Sequence, residues 1–209
     1  MTSLWRRSAL FTLAGTLGAF NLGGCAALLL GGAVVGGTLV ASDRRSSATQ
    51  LEDQLIDGKA GSRIGELLGE RGKVTVTSYN RLVLLTGDVA TESDKAAVEQ
   101  AVSRVDGVRF VVNELAVMGS ASLSMRSNDA LLSAKVKASI VDTKGLYANS
   151  IKVVTERGIV YLLGRVTERE ATQAANVARG VSGVVKVVRV FDLLSEAELE
   201  AIQPKAATK

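Results

Sequence analysis

Two stretches decide the fold when set side by side: VTVTSYNRLVLLTGDVATESD (residues 74–94) and IKVVTERGIVYLLGRVTEREA (residues 151–171). Both keep, in register, an apolar strand, a polar turn, a second apolar strand and a glycine. The match continues past the next helix with a one-residue shift. Val105-Asp106-Gly107-Val108 answers Val181-Ser182-Gly183-Val184, and each leads into a Val-rich strand, RFVVNEL (109–115) or VKVVRVF (185–191). Duplication of one small unit is the simplest reading.

The second copy is legible element by element. Ile151 to Thr155 reads as a strand, Glu156-Arg157-Gly158 as a tight turn, and Ile159 to Arg165 as the returning strand. Thr167-Glu168-Arg169-Glu170 has the spacing of a capping box, in which the threonine hydroxyl and the glutamate carboxylate each satisfy a free backbone N–H. Ala171, Ala174, Ala175, Ala178 and Val181 then share one side of a helix, Gly183 suits its exit, and Val184 to Phe191 forms the third strand. Thr91-Glu92-Ser93-Asp94 starts the corresponding helix of the first copy. A further amphipathic helix precedes each hairpin, from about Leu55 to Glu70 and from about Asp129 to Val141.

This order predicts an α/β protein of the α+β sandwich type. Each of two tandem domains should run helix-strand-strand-helix-strand, with two helices on one face of a three-stranded mixed sheet. LVLLTG and IVYLLG are apolar at consecutive positions, which asks for burial of both faces. The two domains are therefore expected to cover each other's open sheet faces, and Tyr161 reads as core or interdomain packing.

Composition narrows the chemistry. The 209 residues include 25 Lys plus Arg, 21 Asp plus Glu and a single cysteine, with no histidine and a formal net charge of +4. Without histidine the usual general base and the commonest metal ligand are missing. One cysteine also rules out internal disulfides and thiolate clusters. No catalytic residues and no metal site are assigned, and an enzyme is disfavoured.

The N-terminus has the parts of an export signal: Arg6 and Arg7, an apolar stretch from Ala9 to Leu22, then Gly23, Gly24 and Cys25. Leu-Gly-Gly-Cys resembles a lipobox, which implies cleavage before Cys25 and acylation of that cysteine. No cofactor is expected beyond this covalent lipid. Ala26, where an inner-membrane retention signal would place Asp, points by the same resemblance to the outer membrane, facing the periplasm. The Gly-paired run 26–41 is shorter than the roughly 20 apolar residues of a spanning helix and reads as a membrane-apposed or disordered lead. SDRRSSATQ after it reads as linker. The expected organisation is a signal peptide at 1–24, acylated lead and linker at 25–48, domains at 49–118 and 127–192, a linker at 119–126, and an acidic tail at 193–209 that frays into disorder.

The repeated unit, with Gly-x-Val before the acidic residue that starts the helix (Gly87 to Asp94, Gly164 to Glu170) and V(D/S)GV at its exit, resembles the BON domain. Over residues 22–191 the lipobox, linker and two such units are similar to dual-BON outer-membrane lipoproteins linked to division and envelope stress. That resemblance implies phospholipid binding at the outer membrane in support of envelope integrity, not catalysis.

Charge separates the copies: residues 49–118 hold 8 Lys/Arg against 11 Asp/Glu, residues 127–191 hold 10 against 5. The basic second copy suits an anionic membrane, where each cation near the surface contributes on the order of 1 kcal/mol. At 100° per residue, Leu132, Val136 and Ile140 point to the sheet, while Leu131 falls outward beside Ala134, Lys135 and Ala138. On residues alone this is either a helix that dips into headgroups or an ordinary solvated face with one exposed leucine. The resemblance favours the first and implies Leu131, Ala134, Lys135, Lys137 and Ala138 as phospholipid contacts. The partner expected is thus the membrane; the alternative is an adaptor that docks envelope-assembly or cell-wall proteins on open sheet faces. No nucleic acid is expected for an exported chain.

Overall fold

A computed structural model describes residues 43–119 and 121–202. The signal segment, Cys25, the lead 26–41 and the end of the tail lie outside these described residues. The chain forms α1 (Ser47–Leu68), β1 (Gly72–Tyr79), β2 (Leu82–Val89), α2 (Glu92–Ser103), β3 (Phe110–Asn113) and β4 (Ala116–Val117). There follow α3 (Leu123–Val141), a 3-10 turn (Ala148–Ser150), β5 (Ile151–Glu156), β6 (Ile159–Thr167), α4 (Glu168–Arg179), β7 (Lys186–Leu194) and α5 (Glu196–Ile202).

The two units have the expected topology. β1 pairs antiparallel with β2, and β2 parallel with β3; β5 pairs antiparallel with β6, and β6 parallel with β7. The first sheet differs by having a fourth short strand: β3 stops at Asn113, and β4 resumes parallel pairing with the far end of β2 at Asp88 and Val89.

Helix starts depart from the sequence expectation in one direction. α1 begins at Ser47, inside the stretch read as linker, because Ser46 is its N-cap and accepts the Thr49 N–H at 3.1 Å. α3 begins at Leu123, inside the expected 119–126 linker, because Ser122 accepts the Met125 N–H at 3.2 Å. Both longer starts are capped by serine, a residue that also favours loops, so the signal was ambiguous. The tail too is more ordered at its start: β7 runs on to Leu194, and Leu199 of α5 is buried.

α1 carries three glycines, with a fourth, Gly69, as its C-cap, and still forms 22 residues of helix. Asp53, Ile56, Ala60, Ile64 and Leu68 make its buried stripe, whereas a side chain at Gly58, Gly61 or Gly65 would meet nothing. The glycines thus sit on the solvent side, and burial of the stripe outweighs their poor propensity of up to about 1 kcal/mol each.

The apolar strands bury both faces. Val83, Leu85 and Val89 join Ile56, Ile64 and Val98 in the core beneath α1 and α2. Val160, Leu162 and Val166 join Val136, Ile140 and the alanines of α4 beneath α3 and α4. The intervening residues Leu84, Tyr161 and Leu163 meet Tyr79 and Val190 in a third cluster drawn from both domains. The domains therefore cover each other's sheets, as the non-alternating strands require. Tyr161 is fully buried there and its hydroxyl lies 3.4 Å from Glu114, so it is an interdomain packing residue.

Polar contacts fix the register of that junction. Arg157, in the second hairpin turn, donates to Asp88 of β2 at 2.7 Å and to the Gly119 carbonyl at 2.7 Å. Asn80, in the first turn, donates to Asp192 at 2.7 Å. Each hairpin tip is thus tied to the other domain.

Candidate functional site

The exposed face of α3 follows directly from its buried one. Leu132, Val136 and Ile140 lie against the sheet, and the Asp129 carboxylate accepts the Arg157 and Gly158 backbone N–H groups at 2.7 and 2.8 Å. These contacts fix the helix's rotation. Leu131 is consequently 62 % exposed, and Ala134, Lys135 and Ala138 share its solvent side.

Lys137 does not belong with them. Its ammonium donates to the Ile151 carbonyl at 2.8 Å and to the Ala148 carbonyl. Burial pushes its pKa below the ordinary lysine value. A lysine held by two carbonyls braces α3 on the start of β5 and is turned away from the face that carries Leu131. The 3-10 turn before β5 supplies one of those carbonyls, and short turns of that kind leave little trace in sequence.

Two residues overlooked by periodicity complete the apolar surface. A shallow groove of about 410 Å³ runs between α3 and the two glycine turns, lined by Met125, Asn128, Leu131, Lys135, Ser182 and Gly183. Beside it stands Val185, 78 % exposed, whose N–H donates to the Gly158 carbonyl at 2.9 Å. Alternation hides Val185, which shares the strand phase of the core-packed Val187 yet lies just before β7 and is exposed. Nothing in the sequence places it near Leu131; the turn at Gly158 does so. Lys186 follows it and is exposed. The end of the second domain therefore presents two protruding aliphatic side chains, a thioether at the groove and two lysines.

This arrangement suits a surface that is apolar below and anionic above: aliphatic tips to enter, ammonium groups to meet phosphate. It offers no pairing of acid, base and nucleophile. Among the described residues, no group of acidic and sulfur side chains is placed to hold a metal ion, and no helix is long and apolar enough to cross a membrane.

A family model described as the BON domain matches residues 53–119 and again 128–194. The chain belongs to the BON-domain family. It is 37 % identical over 190 residues to the outer membrane lipoprotein DolP of Haemophilus influenzae, an alignment that covers 90 % of this chain and 98 % of that one. It is 30 % identical over 152 residues to a 21 kDa hemolysin of Actinobacillus pleuropneumoniae, covering 72 % and 78 % of the two chains. A structure of CdsD, from the type III secretion system of Chlamydia trachomatis, aligns with 70 % of this chain and 98 % of that one at 13 % identity, but its TM-score of 0.29 is too low to inform the fold. With the lipobox of residues 22–25, the two BON domains and the near full-length match define a tandem-BON lipoprotein of the outer membrane.

Proposed function

We propose that this BON lipoprotein is a non-enzymatic reader of anionic phospholipid, anchored through a lipid on Cys25 and making its second membrane contact with α3 and the adjoining glycine turns. The observation that carries the reading is a groove lined by the exposed Leu131 and by Lys135, with the exposed Val185 standing against Gly158 at its edge. The sheet faces left open by the helices, by contrast, meet at the domain junction. Leu131, Met125 and Val185 supply insertion; Lys135 and Lys186 supply attraction to phosphate. Two such signals, a lasting anchor and a charge-sensitive contact, would concentrate the protein where anionic lipid gathers, including a curved division site, and so support envelope integrity.

An NMR titration of residues 43–202 with anionic phospholipid micelles tests the site. Broadened or shifted amides confined to residues 125–138 and 182–186 are expected. Perturbation centred on the first domain would refute the assignment.

A second reading, an adaptor for envelope-assembly or cell-wall proteins, is favoured by a different place than sequence suggested. The open sheet faces are buried, but Phe110 is 63 % exposed at the start of β3, beside a groove of about 800 Å³ along α2. Photocrosslinking from position 110 in cells would favour the adaptor if it captured one protein while Leu131→Glu left function intact.

A further inference from the structure

Asp43, Arg44 and Arg45 stand where a linker was expected, yet their side chains are spent on both domains. Arg44 donates through Nη1 and Nη2 to the two carboxylate oxygens of Glu170, each at 2.7 Å, and through Nη1 to the Arg165 carbonyl at 2.8 Å. Its guanidinium lies 5.3 Å from the Tyr147 ring centroid. Arg45 donates to Asp53 at 2.9 Å, is braced by Asp43 at 2.8 Å, and sits 3.9 Å from the Tyr79 ring centroid. One arginine therefore holds the second domain and its neighbour the first.

The acceptors matter as much as the donors. Glu170 closes the capping box of α4, accepting the Thr167 N–H at 3.0 Å, and is buried to 1 % exposure. In the first domain the equivalent carboxylate, Asp94, takes its arginine from its own domain, with Arg71 at 2.5 Å. The second domain has no such arginine of its own there. It borrows one from 126 positions upstream. A bidentate guanidinium on a buried carboxylate is among the stronger charged contacts, and loss of either partner leaves an uncompensated buried charge.

We propose that Asp43–Arg45 is a clasp that binds the start of the membrane tether at the domain junction, so that the tether leaves the folded body at a fixed point and its release loosens the second domain's helix cap. The clasp rests on residues 43–45 and their partners, independently of the lipid reading. It places the exit of the tether beside Tyr147, past the C-terminal end of α3, away from the groove at Leu131.

Limited trypsin digestion of the full acylated chain in phospholipid vesicles tests it, since a solvated Arg-Arg linker is an open cleavage site. The clasp predicts that cleavage after Arg44 and Arg45 is at least tenfold slower in the wild type than in Glu170→Gln, which keeps an acceptor for Thr167 but loses the charge. Equal rates would overturn it. Hydrogen exchange of Arg44→Ala decides the matter if Glu170→Gln does not fold. Exchange at residues 167–171 should rise at least tenfold while residues 91–94, held by Arg71, stay unchanged. Wild-type exchange at 167–171 would overturn the clasp.

Discussion

Asp53 and Asp129 occupy the same place in the two domains, each on the buried side of its first helix with its carboxylate closing its own hairpin turn. Asp53 accepts the Asn80 and Arg81 N–H groups at 2.8 Å each; Asp129 accepts those of Arg157 and Gly158 at 2.7 and 2.8 Å. Both turns need left-handed backbone at both central residues, with φ of 52° and 66° in the first and 52° and 75° in the second. An aspartate that bonds both turn amides stabilises that conformation even where, as at Arg81, no glycine is present. Asp53 also takes Ser78 Oγ at 2.7 Å and Arg45 at 2.9 Å. Asp53→Ala should therefore cost about 3 kcal/mol and Asp129→Ala about 2 kcal/mol in urea unfolding. Negligible losses would show that the turns hold themselves, and equal ones that Ser78 and Arg45 add nothing to Asp53.

Gly87 and Gly164 form a second pair. A side chain at Gly87 would lie 2.1 Å from the Lys73 carbonyl oxygen, and one at Gly164 would lie 2.3 Å from that of Ser150. Neither neighbour is a flexible side-chain end, so the strands would have to part. Gly164→Ala should lower stability by at least about 3 kcal/mol, measured by thermal circular dichroism, as a backbone clash within a buried strand pair does. Gly61→Ala, on the solvent side of α1, should instead raise stability by up to about 1 kcal/mol.

Acid should weaken the domain junction through Glu170. Burial pushes its pKa up, but Arg44 and the Thr167 N–H more than offset this and hold it below the usual carboxylate value. A carboxyl with a depressed folded-state pKa contributes its full stability above the unfolded value of about 4.3, and loses it as pH falls through the folded-state value. Urea midpoints followed from pH 7 to pH 3 should thus fall less steeply in Glu170→Gln than in the wild type. Parallel curves would remove Glu170 from the acid response.

Much of this was legible in residues because the two copies check each other. Thr167 and Glu170 announced a capping box that the structure contains in full, and Gly107 and Gly183 marked helix exits whose φ values are 91° and 99°. The unbroken apolar run around Tyr161 told that both sheet faces are buried. What stayed hidden depends on contacts between distant parts. Lys137 looked like a partner of Lys135, yet two carbonyls from outside α3 claim it. Val185 joins Leu131 only through the Gly158 turn. Arg44 and Arg45 read as linker because their acceptors, Glu170 and Asp53, belong to two different domains. Periodicity reports what one element buries, not what a remote segment lends it.

Lipid reading by the second domain is tested most directly by flotation of residues 43–202, which retain the clasp but lack Cys25, with vesicles of phosphatidylcholine alone or with one quarter phosphatidylglycerol. Flotation only with the anionic vesicles, weakened by high salt and reduced at least tenfold by Leu131→Glu, is the predicted result. Failure to float with anionic vesicles at low salt, or full retention of flotation in a folded Leu131→Glu, would contradict it.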